Sequence, residues 1–417
     1  MVFALDRQQG GGVTAAPGVP TVLFLVDGLG LSGKTKAMVD LVCGLDPARY
    51  QPAVACFDKE RSPLLEPLIK KNVPLFEIPC PDGLNVGVMV RLGKVMRETK
   101  PTVVHCYNPR TMLYGGIVAR TLGIKAVVGS LSAFACLTPD QRYDFLPQKL
   151  FTTSRRNRLR NQLVARLMGA VVTVARSLGE RFCRFNGIDT ARLRVVSYGV
   201  DLARFDKVTD AEVAAFRASI GVPDGAVVVG SVGRLVEQKD YPTQLRAFAH
   251  ALKTAPQLWM VLAGDGPLRG ELEALVASLG IGLRVKFIGH CSTVPVLLRT
   301  LEIFVLASKF EPYGVAILEA KAAGTAIAAT NVNELPELVV DGQMGLLSPA
   351  GDAPAMGENF VRLAGDPALR RTLGKNAAAD AFNRHSLAAA IDGYQSIYDD
   401  VRRIHSHQSG RAPRAAA

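Results

Sequence analysis

The sequence predicts an α/β protein made of two Rossmann-like doubly wound domains. Three observations carry that expectation. Short β-rich runs alternate with helical stretches, the pattern of a parallel sheet with crossover helices. The alternation pauses near residue 200 and then starts again from a fresh buried strand. The chain has 417 residues, 48% of them apolar, which is enough for a core in each of two domains.

The elements follow in order. Residues 1–19 are rich in Gly and Ala and read as a flexible tail. Strand-like runs at Thr21–Val26, Ala53–Phe57, Thr102–His105, Ala126–Gly129, Ala170–Val174 and Leu193–Val196 are β-branched and apolar, as strands buried on both faces require. Helical stretches lie between them near Lys34–Leu45, Pro63–Lys71, Thr111–Leu122 and Leu178–Phe185. Ser197-Tyr198-Gly199-Val200-Asp201 is a Gly-bearing turn that suits a linker. The second series has strands at Ala226–Val232, Leu258–Ala263, Val285–Ile288, Ile303–Leu306 and Ala326–Ala329, with helices near Leu268–Leu279 and Val315–Ala323. The expected division is a first domain over 20–197, a second over 198–385, a helix over 386–405 packing back on the first, and a tail over 406–417. A cleft between the two domains is the expected ligand site.

Composition narrows the function classes. No apolar run reaches the ~18 residues that span a bilayer, and the first twenty residues lack the pattern of a secretory signal. The seven cysteines are scattered without a CxxC, which suits reduced thiols in a cytoplasm. His405 and His407 form an HxH in a polar tail, a solvated pair rather than a metal site, and no metal cluster is visible. The net charge is +12. Part of it is localised: Phe145–Gly179 contains no acid and seven bases, among them Arg155, Arg156, Arg158 and Arg160. Such a patch suits an anionic membrane surface. It suits nucleic acid poorly, because only Phe151 lies near it to stack on bases.

Three segments of the second half carry chemistry. In Gly230–Asp240 a buried strand gives way to a loop with Arg234 and Lys239. Taken alone these are two solvated loop bases; together, a guanidinium fork and an ammonium suit a diphosphate. Ala263-Gly-Asp-Gly-Pro267 is turn chemistry, with Pro267 expected at the first helical position and Gly280 at the C-terminal stop. Glu311-Pro-Tyr-Gly-Val-Ala-Ile-Leu-Glu319 runs from a loop into a helix. Gly314 and Val315 offer bare N–H groups to an anion. Glu319, on a helix otherwise of Ala, Ile and Leu, needs a partner: a ligand hydroxyl, or a nearby Arg or Lys.

These segments, with Val285–His290 and Asn333-Glu-Leu-Pro-Glu337, resemble the retaining GT-B glycosyltransferases of glycosyltransferase family 4, also called glycosyl transferases group 1. That family's pair of glutamates separated by seven residues is matched by Glu311 and Glu319. The resemblance is strongest over Gly230–Gly345 and extends roughly over 20–400. It implies transfer of a sugar from a UDP- or GDP-linked donor to a glycan or lipid-linked acceptor, with retention, without metal or other cofactor, at the inner face of a membrane. By the resemblance Arg234 and Lys239 hold the donor pyrophosphate and Glu311 contacts the transferred sugar. Glu319 holds the ribose, the backbone of Gly314 and Val315 touches phosphate, and the base lies by Ile288, Gly289 and His290.

The first half holds a competing motif. Gly28-Leu-Gly-Leu-Ser-Gly-Lys-Thr35 matches the P-loop pattern and sits between a strand and a helix, so an NTPase or kinase using Lys34 is an alternative. No later strand ends in an obvious Mg-binding Asp, and the resembling family has a Gly-rich loop at the same place, where Gly33 would lie near the donor. The family's acceptor-side histidine is missing from Val127–Phe134, where Ser130 or Ser132 takes its space. A catalytically weak sugar-nucleotide-binding protein is therefore a further alternative.

Overall fold

The computed structural model describes residues 18–30, 33–57, 62–81, 84–131, 155–311 and 313–408. They form two compact units: one of 18–131, 155–196 and 391–408, the other of 197–390. Ser132, Phe151, the side chains of Arg155, Arg156, His405 and His407, and residues 1–17 of the N-terminal tail lie outside the described residues.

The first unit is a seven-stranded parallel sheet. Its strands are β1 (Thr21–Val26), β2 (Gln51–Cys56), β3 (Leu75–Glu77), β4 (Val103–Tyr107), β5 (Val127–Ser130), β6 (Ala170–Thr173) and β7 (Leu193–Val195), in the order β3-β2-β1-β4-β5-β6-β7. The helices α1 (Gly33–Gly44), α2 (Glu66–Lys70), α3 (Val86–Thr99), α4 (Pro109–Thr121), α5 (Arg155–Leu167) and α6 (Arg176–Asn186) make the crossovers. β1 is apolar at almost every position because helices cover both its faces, and all six residues are buried. The edge strands β3 and β7 are only partly buried. β4 runs two residues past His105, so this histidine lies inside the strand rather than at its end.

The second unit is a six-stranded parallel sheet. It holds β8 (Val227–Val232), β9 (Leu258–Ala263), β10 (Val285–Gly289), β11 (Ile303–Leu306), β12 (Ala326–Thr330) and β13 (Gly345–Ser348), in the order β10-β9-β8-β11-β12-β13. Its helices are α7 (Ala203–Asp206), α8 (Asp210–Ser219), α9 (Tyr241–Ala251), α10 (Arg269–Ser278), α11 (Val294–Thr300), α12 (Val315–Ala322), α13 (Leu335–Leu338), α14 (Ala353–Gly365) and α15 (Pro367–Arg384). A capping box of Thr209 and Glu212 starts α8. Helix α10 starts at Arg269, two residues after Pro267, because Asp265–Leu268 is taken up in the turn. Gly280 ends it in a left-handed conformation.

Helix α16 (Leu387–Gln408) carries the chain back to the first unit, which it joins from residue 391. There Tyr398 bonds His105 Nδ1 at 2.8 Å, and Gln395 accepts the Asp46 amide at 3.0 Å. The other His105 nitrogen meets Ser130 Oγ at 2.7 Å. Ser130 is thus buried as the partner of a core histidine. Helix α5 splits its apolar residues between two environments. Val164, Ala165 and Met168 face inward, whereas Leu159 and Leu163 are 66% and 49% exposed.

Candidate functional site

In each sheet the winding direction reverses beside the first strand, at β1/β4 and at β8/β11. Loops leaving the C-terminal ends of such neighbours diverge and open a crevice, the place where open α/β sheets take ligands. In the second unit the loops after β8 and β11 carry most of the residues singled out from sequence.

These two loops are laced together. Gln238 Nε2 donates to the Phe310 carbonyl at 3.0 Å, and the Lys309 amide donates to the Gln238 carbonyl at 3.0 Å. Lys239 Nζ donates to Glu311 Oε2 at 2.5 Å. Ser308 Oγ donates to the same carboxylate oxygen at 3.0 Å, and the Glu311 amide donates to Asn333 Oδ1 at 3.2 Å. Glu311 is only 5% exposed, so its charge depends on these partners. Asp240, in a left-handed conformation, caps α9 immediately after Lys239 and fixes where that lysine leaves the backbone. Arg234, two residues past the end of β8, is exposed.

Glycine makes this edge possible at two positions. Gly264 follows β9 with φ of +133°, and a side-chain carbon there would stand 1.9 Å from the Gly233 carbonyl oxygen. The loops after β8 and β9 can therefore lie against each other, and the Leu235 amide reaches the Asp265 carbonyl at 2.9 Å. Gly314, with φ of +87°, precedes α12 and turns the chain so that the first amides of the helix face the loop edge. Val315 begins that helix, and Glu319 lies half-buried one turn further on. Gly289 closes β10, where its carbonyl accepts the Gly264 amide at 2.7 Å; His290 is exposed beside it.

The structure thus brings Arg234, Lys239, Glu311, Gly314, Val315 and Glu319 to two adjacent loops and the helix after them, with Ile288, Gly289 and His290 two strands along the same edge. Gly33 belongs to the other unit, at the start of α1. Behind it, burial holds the Lys34 ammonium below its ordinary range, opposed by the Asp27 carboxylate. Sequence reading missed Ser308 and the role of Asn333, which hold Glu311. Asn333 had a signal: a left-handed Asn just past a strand. It also missed the buried residues behind the loop. Tyr313 donates to Ser197, Ser197 bonds His385, and Lys321, fully buried on α12, bonds Asp380. Among the described residues there is no group of three or more His, Cys, Asp and Glu side chains that could hold a metal ion.

Two doubly wound units, the second with Arg234, Lys239 and Glu311 on the loops at its switch point, define an α/β protein of the class that takes ligands at this edge. The "Glycosyl transferases group 1" profile matches residues 212–380, and the "Glycosyltransferase Family 4" profile matches 32–204. The chain belongs to this family of glycosyltransferases, and its fold is of the GT-B class. It is 28% identical over 324 residues to alpha-D-kanosaminyltransferase of Streptomyces kanamyceticus, covering 76% of this chain and 82% of that protein. It is 33% identical over 185 residues to the lipopolysaccharide core biosynthesis glycosyltransferase LpsE of Rhizobium meliloti, covering 44% of this chain and 53% of that protein. Anabaena HepE, solved in complex with UDP, superposes with a TM-score of 0.76 at 20% identity, covering 93% of this chain and all of that one. Lys34 and the last residues of the P-loop pattern fall inside a glycosyltransferase profile, which favours the glycosyltransferase reading over the P-loop alternative.

Proposed function

We propose that this glycosyltransferase takes its sugar from a nucleoside diphosphate donor bound at the β8/β11 edge, and transfers it with retention of configuration. The observation that carries this is the Lys239–Glu311 pair, which joins the two switch-point loops beside the N-terminus of α12. Lys239 and Arg234 hold the diphosphate, together with the amides of Gly314 and Val315. Positive charge fixed there stabilises the negative charge that grows on the leaving group. Glu311 contacts the transferred sugar, Glu319 the ribose, and the backbone at Ile288, Gly289 and His290 the base. The leaving phosphate takes the proton of the acceptor hydroxyl on the face it has vacated, which preserves the anomeric configuration. Solved with UDP, HepE favours a uridine donor, with a guanosine donor as the other arm. An acceptor among glycans or lipid-linked sugars is supported by the name of LpsE, a lipopolysaccharide core biosynthesis glycosyltransferase. Calorimetric titration with UDP and with uridine tests the diphosphate assignment. Lys239→Ala and Arg234→Ala should each weaken UDP about tenfold or more, as for a lost charged hydrogen bond, and leave uridine unchanged. Equal losses for both ligands count against it.

We further propose that α5 attaches the first unit to an anionic membrane surface. Leu159 and Leu163 stand exposed one turn apart, flanked by the exposed Arg158 and Arg160, an arrangement suited to lipid headgroups. Co-sedimentation with phosphatidylglycerol vesicles should fall with salt and drop sharply when Arg155, Arg156, Arg158 and Arg160 become Gln. No binding at low salt contradicts it.

A further inference from the structure

The loop that carries Glu311 is fastened from behind by a chain of polar groups that sequence spacing does not reveal. Tyr313, two residues after Glu311, is 4% exposed and donates its hydroxyl to Ser197 Oγ at 2.6 Å. Ser197 Oγ stands 2.6 Å from His385 Nδ1; the Tyr198 carbonyl, at 3.0 Å, is the longer alternative for its one proton. His385 is 2% exposed, and its Nε2 lies 3.2 Å from the Asp380 carboxylate. Asp380 in turn pairs with Lys321, on the helix that the loop feeds. Ser197 and His385, in the middle of this chain, sit on backbone segments that pair with each other: Val200 bridges Ser386, and the Val200 amide donates to the His385 carbonyl at 2.8 Å. Tyr198 packs edge-on against the Tyr313 ring, with centroids 5.4 Å apart.

We propose that Tyr313, Ser197 and His385 are positioning residues, which set the loop so that the Glu311 carboxylate meets the transferred sugar. The proposal rests on the assignment of Glu311 given above. Each hydroxyl has an acceptor ahead of it: Tyr313 donates to Ser197, and Ser197 to the imidazole. A neutral ring is needed at the end, since a protonated Nδ1 could not accept. Burial holds His385 down to about 4, which keeps it neutral. A phenol hydroxyl with no acceptor in this buried place would lose its hydrogen bond outright, so the chain is intact or costly. Rigid support behind a catalytic side chain matters because small misplacements cost rate.

The test compares the full chain with Tyr313→Phe, Ser197→Ala and the double variant, by amide hydrogen exchange of a peptide covering 308–316. Each single variant should raise exchange there about fivefold or more, as for one lost hydrogen bond in Tyr313→Phe and two in Ser197→Ala, with exchange in β11 unchanged and only a modest fall in the melting temperature. The double variant should add nothing further. With a UDP-sugar that the wild type turns over, kcat should fall with KM unmoved. Unchanged exchange in 308–316, or effects that add, overturn the proposal. Unaltered turnover in Glu311→Gln instead removes the Glu311 assignment, while the exchange result still decides whether the chain holds the loop.

Discussion

Glu311 and Lys239 are each other's counter-ion, and that pairing has a consequence for ligand binding. A buried carboxylate and ammonium 2.5 Å apart leave neither with an uncompensated charge. On the proposed assignment, a diphosphate arriving at Lys239 would compete with Glu311 for the same ammonium. Glu311→Ala should therefore bind UDP as tightly as the wild type or more tightly, by up to about tenfold, since a competing charged hydrogen bond is gone. Calorimetry reads this directly; a tenfold loss of UDP affinity would show that Glu311 holds the nucleotide rather than the sugar. Much of this site was legible in sequence, because its residues fall in short contiguous segments just after buried strands. The supports were not legible. Ser197 lies 116 positions from Tyr313 and 188 from His385, and only the folded chain brings them together.

At the scale of elements, the close approach of the loops after β8 and β9 depends on Gly264. Gly264→Ala puts a methyl against the Gly233 carbonyl and forces a residue with a side chain to φ of +133°. It should cost about 3 kcal/mol or more, read as a fall in the denaturant midpoint. The same substitution at Gly270, in the first turn of α10 with open space around it, should stabilise by about 0.5–1 kcal/mol. Equal effects at the two glycines would contradict the packing described. The elements most visible in sequence were the central strands: Leu258–Ala263 and Ile303–Leu306 are apolar throughout because both faces are covered. Two of the four edge strands, β3 and β13, were not visible. β3 has three residues, none of them buried, and β13 has only four, too few to set a pattern against their surroundings. Helix α3 escaped notice because its buried Val88, Leu92, Val95 and Met96 are interleaved with Val86 and Val90, which stay exposed and blur the stripe.

At the scale of the whole molecule, each unit buries one histidine, among the described residues, that burial keeps from charging. His105 is held down to about 3 and His385 to about 4, against an ordinary value of 6.5. Between those values and 6.5 the unfolded chain binds more protons than the folded one, so stability rises with pH and is lost as pH falls below about 6.5. Each histidine contributes about 1.4 kcal/mol per pH unit in that window. Urea midpoints measured from pH 7.5 to 4.5 should fall steadily below 6.5, and His385→Asn should flatten the part of the slope that belongs to the second unit. A stability independent of pH over that range would contradict the burial of both rings. Parallel-sheet topology was legible at this scale, from two successive runs of alternating strands and helices. The exposure of Leu159 and Leu163 was not, since their spacing equally fits a helix face turned inward.

On the proposed reading, the β8/β11 edge of the second unit holds a nucleoside diphosphate donor, and Glu311 acts on the sugar it gives up. Nucleoside diphosphate release from UDP-, GDP- and ADP-linked sugars, by the wild type and by Glu311→Gln, tests it most directly. The wild type should release diphosphate from one donor class, and Glu311→Gln should lose at least about a hundredfold in kcat, the scale of removing one transition-state contact, while still binding the free diphosphate. Wild-type turnover in Glu311→Gln would contradict the account.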